Sequence, residues 1–189
     1  MTENVQRGAI FELISNLKLI TIFLVYNINL QYVLYFTAFL AFGIGDGITG
    51  AYMMDTLGAG IESNPIARYL FMEQGFGGMV MVKIWFTFVI LIATHIIQLR
   101  SPDRMYWTVN GFLIALTAGG LMATNANLTA LAGEIPQAPG EIIFTYLALV
   151  LILTEIGSFA DGRTQDTAHN SFETVAHSGF ILPERRGRK

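Results

Sequence analysis

Asp46 stands in a long apolar stretch of the chain, and Lys83 stands in the next one. A charged side chain inside a bilayer costs about 2.5–3.5 kcal/mol on insertion scales, so it normally faces a partner or a wet cavity. Thr49 lies nearly one helical turn after Asp46, on the same side of the helix. An acid and a base placed in this way can form a structural ion pair, bind a polar molecule or move a proton. The sequence leaves these alternatives open.

More polar residues follow in the Gly-rich passage between the two apolar stretches. Asn64 and Pro65 are typical of a helix N-cap and first turn, and they predict a short helix over residues 66–71. Glu62 is either a solvated side chain or part of a pocket with its neighbours. The predicted ligand-binding residues, which would form an outward-opening polar pocket, are Asp46, Thr49, Glu62, Asn64, Arg68, Lys83 and Asn125.

Motifs for known catalytic and metal sites are missing from the chain. We find no HExxH, P-loop, GxSxG or DDxxD pattern, so no catalytic residue, metal ligand or cofactor is predicted. Asp46, Asp55 and Glu62 have oxygen ligands that would suit Mg²⁺ or Ca²⁺, but their spacing matches no site that we can name. The chain has no cysteine, which excludes disulfides and thiolate sites. Its net charge of −3 gives no reason to expect a nucleic-acid partner.

The positioning elements are membrane-spanning helices. Of the 189 residues 53% are hydrophobic and 13% are charged, whereas a soluble domain has about 25% charged residues. A spanning helix needs about 20 residues, and the lipid core admits only helices or closed barrels. The apolar blocks lack the alternation of a barrel strand. The four predicted spans are Tyr32–Leu57, Met79–Leu99, Tyr106–Asn127 and Ile142–Gly157.

The two ends of the chain differ from this core. Residues 9–28 are apolar but interrupted by Glu12, Asn16 and Lys18, which favours an amphipathic helix at the membrane interface, with a fifth span as the alternative. From Ser158 the composition is polar and aperiodic, which predicts a flexible tail. We therefore expect an all-α polytopic protein with an interfacial N-terminal helix (residues 1–31), a four-helix transmembrane domain (32–157) and a cytoplasmic tail (158–189).

Positive charges predict the orientation of these spans. With four crossings, nine of the 11 Lys and Arg residues share the side of both termini, and the opposite side holds only Arg68. We expect the protein to lie in the plasma membrane, and the positive-inside rule predicts that both termini are in the cytoplasm. Asp46 lies about 21 Å and Lys83 about 24 Å from the inner side of the membrane, so the two side chains are expected to meet.

Small and hydroxylated residues recur at helical spacing. Gly43, Gly47 and Gly50 form a GxxxG-type face, which suits either tight packing within the bundle or contact with a membrane-protein partner or a second copy. Thr residues follow stripes in the second and third spans, where they line the bundle interior or bond to their own helix carbonyls. Asn110 is expected to find a partner on another helix, because an unpaired amide in lipid is costly.

The order of these motifs resembles a family of small prokaryotic membrane proteins of unknown function, found in archaea and bacteria. The resemblance covers about residues 40–90: Asp46-x-x-Thr49, then Gly60-x-Glu62-x-Asn64-Pro65, then Lys83 at the start of the next span. It implies a fold and a functional centre at Asp46, Glu62, Asn64, Pro65 and Lys83. It implies no reaction.

Three functions agree with this sequence. The first is a non-enzymatic membrane protein whose polar pocket binds or passes a small solute, an ion or a lipid head group. The second is a subunit or scaffold of a larger membrane complex. The third is an intramembrane enzyme that uses Glu62 or Asp46 as acid or base, and the missing catalytic motifs make it the weakest of the three.

Overall fold

The computed structural model describes residues 29–101 and 105–177, with side chains as far as residue 164. These residues form helices joined by short connections, with no strand among them. The predicted interfacial helix within residues 9–28 lies outside the described part. The long helices are α1 (Leu30–Leu57), α2 (Pro65–Arg100), α3 (Tyr106–Leu131) and α4 (Pro139–His177).

All four long helices have the length and apolar composition of membrane spans. This confirms the predicted all-α fold with four crossings and indicates a multi-pass membrane protein. The helices α1 and α3 are the most buried of the four, and few residues in the spanning parts of α2 and α4 are buried. α2 packs mainly on α1, α1 packs on α3, and α3 packs on α4. The bundle is therefore a curved row in the order α2, α1, α3, α4.

Glycines set the spacing of this row. A Cβ atom on Gly120 of α3 would lie 2.5 Å from the backbone nitrogen of Phe42 in α1, and one on Gly111 would lie 2.2 Å from the carbonyl oxygen of Leu153 in α4. No side chain fits at such distances, so glycine at these positions lets the helix backbones touch. The close packing of α3 against α1 and α4 therefore depends on these two glycines.

The GxxxG-type face of α1 lies inside the bundle. A Cβ atom on Gly47 would lie 3.2 Å from Cβ of Lys83, and Gly43 and Gly50 are also buried against neighbouring helices. The structure thus uses this face for contacts within one chain, the first of its two predicted uses.

The helix α1 is not a regular α-helix along its whole length. Residues Phe39–Gly45 form a π-helical segment, and the backbone N–H of Asp46 donates to the carbonyl of Ala41, five residues earlier. Wider turns of this kind are frequent at functional sites. Here the segment ends directly before the buried carboxylate, and it rotates Asp46 relative to the preceding residues of α1.

The start of α2 agrees with the predicted cap. The Asn64 side chain accepts a hydrogen bond from the N–H of Ile66 at 3.0 Å, and Pro65 is the first helical residue. The helix bends at Gly75, whose φ of 65° lies in the region that favours glycine. Where the Gly-rich sequence predicts a loop as far as residue 78, the chain resumes a helix directly after Gly75 and continues to Arg100.

The helix α4 extends beyond the predicted boundary at residue 157 and continues to His177, the last residue that the structure describes. Two contacts hold the first part of this extension on the bundle. Gly157 lies against the backbone of Trp107, and Asp161 accepts hydrogen bonds from the first turn of α3. The polar composition after Ser158 thus marks where α4 passes the end of the apolar core, and the helix itself continues.

Candidate functional site

Asp46 and Lys83 form an ion pair between α1 and α2. The Lys83 ammonium group donates to Oδ2 of Asp46, as their predicted heights in the membrane require. The exposed fractions of the two side chains are 12% for Asp46 and 26% for Lys83, so the pair is covered but can be reached from one side. Lys83 Nζ also lies 5.1 Å from the ring centroid of Phe42, a distance at which a cation is attracted to an aromatic face.

A third helix completes this polar cluster. The amide nitrogen of Asn127, on α3, donates to Oδ1 of Asp46 at 3.3 Å and to Oγ1 of Thr49 at 3.1 Å. Thr49 in turn donates to the carbonyl of Gly45 at 2.7 Å, which leaves its oxygen free to accept from Asn127. Both carboxylate oxygens of Asp46 therefore have a donor, and one acid, one base, one amide and one hydroxyl tie three helices together.

This cluster lies in the wall of a cleft with a volume of about 510 Å³. All four helices contribute to it, together with the α1–α2 and α3–α4 connections. Asp46, Lys83 and Asn127 provide its inner polar surface, and the wall formed by α4 is apolar apart from the Tyr146 hydroxyl. The α4 residues in this wall are Pro139, Ile142, Ile143, Tyr146 and Leu147.

The connection between α1 and α2 forms the mouth of the cleft. Glu62 and Asn64 line it, and the Glu62 carboxylate accepts a hydrogen bond from the N–H of Asn64 at 2.7 Å. Arg68 donates to the backbone carbonyl of Glu62 through both Nε (3.0 Å) and Nη2. The Glu-x-Asn-Pro sequence is thus a closed turn that begins α2 and brings the Glu62 side chain to the cleft.

A second buried carboxylate lies at the other end of the bundle. Asp161 of α4 accepts from the backbone N–H groups of Trp107 and Thr108, both at 2.9 Å, and from the Thr108 hydroxyl at 2.8 Å. It caps the first turn of α3, because the residue before that helix, Met105, provides no side-chain cap. The predicted flexible tail begins at residue 158, so this cap is not among the predicted features.

The remaining polar residues fall into two groups. The hydroxyls of Thr87, Thr94 and Thr117 donate to carbonyls of their own helices, which is the simpler of the two predicted roles. Asn110 differs, because its side chain is buried and neither amide atom has a partner among the described residues. The expected partner on another helix is not found, and a buried water molecule is the usual solution for such a group.

A comparison with protein families identifies most of this region. The family model described as Domain of unknown function (DUF5658) matches residues 37–133. The chain belongs to this family. Neither a curated protein nor a solved structure matches it. Membership of DUF5658 agrees with the predicted family of unknown function, and it supplies no activity.

The DUF5658 segment contains every polar residue of the cleft named above except Tyr146. The structure brings together Asp46, Thr49 and Lys83, and it places Glu62 and Asn64 at the mouth. Two of the predicted residues do not line the cleft. Arg68 donates to the backbone carbonyl of Glu62 in the α1–α2 turn, and Asn125 lies on the exposed side of α3. The amide in the cleft belongs to Asn127, which the predicted set omits.

Spacing along α3 contains the signal for Asn127. The positions Asn110, Thr117 and Thr124 recur every seven residues and define one face, and Asn127 lies three residues after Thr124 on that face. Asn125 is one residue after Thr124, about 100° away around the helix. Counting along this face would have selected Asn127.

The cluster is suited to hydrogen bonding of a ligand. Lys83 has three N–H donors, of which Asp46 takes one, and Asn127 retains an amide carbonyl. Among the described residues no three His, Asp or Glu side chains come together as a metal site requires. The cleft therefore presents anchored polar groups next to an apolar wall.

Proposed function

We propose that this protein binds a small polar molecule, or the polar head of a larger one, in the cleft between its four helices. The observation that supports this is the position of the Asp46–Lys83 pair in the wall of an open cleft of about 510 Å³, within the range of small-ligand sites. A charged pair with a purely structural role would add little stability, because apolar residues of similar volume often stabilise a protein as well as a buried pair does.

Binding suits the site better than catalysis does. A general base needs a free lone pair directed at the substrate, and a general acid needs a proton that it can release. Asp46 and Lys83 neutralise each other, and Asn127 holds the remaining carboxylate oxygen. The three groups are therefore arranged to hold a polar group in place.

We further propose that the cleft opens to the outside of the plasma membrane. The cleft lies at the end of the bundle where α1 joins α2 and α3 joins α4. These connections have no Lys or Arg, and Arg68 lies close to them in the first turn of α2, whereas the basic residues concentrate at the termini and the α2–α3 connection. The positive-inside rule supports cytoplasmic termini and an outward cleft.

Cysteine accessibility tests the cleft and its orientation together, because the chain has no native cysteine. Ala126→Cys places a thiol in the cleft, and Ala115→Cys places one in the fully buried part of α3 as a matched control. A membrane-impermeant thiol reagent added to intact cells should modify Ala126→Cys and leave Ala115→Cys unmodified. If Ala126→Cys reacts only after the cells are opened, the orientation is reversed.

Retention of a ligand tests the binding itself. The protein is purified from its native membranes in mild detergent, and the bound small molecules are extracted and identified by mass spectrometry. We expect a molecule that the wild type retains and the Asp46→Asn variant loses, with both proteins folded. Equal content in the two preparations, together with an unreactive Ala126→Cys, would reject the proposed function.

A second proposed function is that of a subunit in a larger membrane complex. Its support is the outer surface of α4, where Phe144, Leu151 and Phe159 expose more than 60% of their side chains. Large apolar side chains exposed on a spanning helix suit either lipid or a second protein. Copurification of a partner in mild detergent supports the subunit role, and a lone monomer counts against it.

A further inference from the structure

We infer that the ligand is an amphiphile with an uncharged, hydrogen-bonding head group, and that it enters from the bilayer between α2 and α4. The inference rests on the proposed function and specifies the ligand class for the same cleft. Three features of the cleft support it: the distribution of polar and apolar groups, the exposure of one wall, and the balance of charge.

The cleft has a polar side and an apolar side. Asp46, Lys83 and Asn127 supply the hydrogen-bonding groups on the first three helices. Across from them, α4 contributes aliphatic side chains, of which Ile143 and Leu147 are the most exposed. A ligand that fills such a space needs a polar end and an apolar end, whereas a small water-soluble solute would leave the α4 wall without a partner.

The wall formed by α4 is open to the surroundings of the bundle. Ile143 and Leu147 line the cleft, yet their exposed fractions are 58% and 53%. In the packing order of the bundle, α2 and α4 stand at opposite ends of the row, so among residues 29–101 and 105–177 no helix lies on the outer side of the cleft between them. For helices that cross a membrane, that side faces lipid, and a molecule dissolved in the bilayer reaches the cleft without passing through water.

The charges in the cleft favour an uncharged head group. Asp46 and Lys83 cancel each other, so a cation approaching them meets the ammonium group of Lys83, and an anion meets the carboxylate of Asp46. Glu62 adds a negative charge at the mouth, which further opposes an anion. A hydroxyl group avoids both costs, because it can accept from Lys83 and donate to the Asn127 carbonyl, and a carbonyl group can accept from Lys83.

The Ala126→Cys variant provides the readout for this inference. The purified protein in lipid nanodiscs is mixed with one of four probes, and the rate of thiol modification is measured. Three probes share an oleoyl-type chain and differ in the charge of the head group: monooleoylglycerol (neutral), oleate (anionic) and oleylamine (cationic). The fourth probe, glycerol, has the neutral head without the chain.

We expect monooleoylglycerol to slow the modification at least about tenfold at concentrations where the three other probes slow it less than about twofold, corresponding to roughly 1.4 kcal/mol of preference. The Glu62→Gln variant is the matched control, because glutamine can still accept from the Asn64 N–H while the negative charge is removed. In that background oleate should protect better, so the ratio of the protection by monooleoylglycerol to the protection by oleate should fall.

Specific outcomes overturn the inference. Equal protection by oleate or oleylamine shows that the charge of the head group is not selected, and equal protection by glycerol shows that the ligand comes from water. A spontaneous disulfide dimer of a Leu147→Cys variant shows that a second copy covers the opening. In each case the proposed function survives if the native membranes yield a ligand that depends on Asp46, so the two failures are distinguishable.

Discussion

Two buried carboxylates lie near opposite ends of this bundle, and they are satisfied in different ways. Asp161, which as a whole residue is 7% exposed, accepts from the first turn of α3 alone among the described residues, through two backbone N–H groups and one hydroxyl. Asp46, which as a whole residue is 9% exposed, is held by the side chains of Lys83 and Asn127 and lies in the wall of a cleft.

The difference separates a structural role from a proposed functional one. Backbone N–H groups at a helix start need an acceptor, so Asp161 fills a requirement of the fold itself. Asp46 fills no such requirement, because its partners are side chains that an apolar sequence would replace without loss of packing. Placing the Asp46–Lys83 pair in a membrane costs free energy, and binding of a ligand in the cleft would explain why the protein has the pair.

The largest expected effect comes from Lys83→Met. This change leaves the Asp46 charge without its cation, and we expect a loss of about 2–4 kcal/mol in the free energy of unfolding, somewhat below the range for fully buried pairs because the site is partly open. Reversible unfolding in detergent measures it. The double variant Asp46→Asn/Lys83→Met should regain most of the stability but no ligand. A single variant as stable as the wild type would mean that the pair contributes nothing.

A smaller effect is expected from Asp161→Ala. The first turn of α3 loses its acceptor, which should cost about 1–2 kcal/mol, as for other helix caps. Ligand content should stay unchanged, since the residue is far along α4 from the cleft. The control is Asp55→Ala, an exposed acid near the end of α1, which should change neither quantity. Loss of ligand in Asp161→Ala without loss of stability would remove the contrast between the two acids.

The smallest effect is expected from Asn127→Leu. Interhelical hydrogen bonds in membranes contribute about 0.6 kcal/mol on average, so the stability should fall by roughly that amount. Ligand retention should decrease more clearly, because the change removes a polar group from the cleft wall. Asn125→Leu, on the exposed face of α3, is the matched control and should behave as the wild type does. Equal effects of the two variants on stability and ligand retention would show that the position of the amide around α3 does not matter.

The fold and the central pair could be predicted because they follow from simple counts. Hydropathy and length define four spans, and the rise of 1.5 Å per residue places Asp46 and Lys83 at matching heights. The N-cap at Asn64 follows equally from local residue types. Each of these predictions depends only on where the residues stand along their own helices.

The rest of the site depends on how helices rotate and pack against one another. The π-helical segment before Asp46 changes the direction of the Asp46 side chain, and we know of no sequence pattern that predicts such a segment. The choice of Asn127 over Asn125 requires the face of α3 that meets α1. The Asp161 cap joins residues more than 50 positions apart, and the polar composition around it predicts a tail.

The most direct test is an experimental map of the protein in nanodiscs made from its native lipids. The account predicts an ordered non-protein molecule in the cleft, with a polar atom within hydrogen-bonding distance of Lys83 or Asn127 and its apolar part against Leu147. A map in which α4 closes on α2 and fills this space with side chains, leaving the Asp46–Lys83 pair without access, would contradict it.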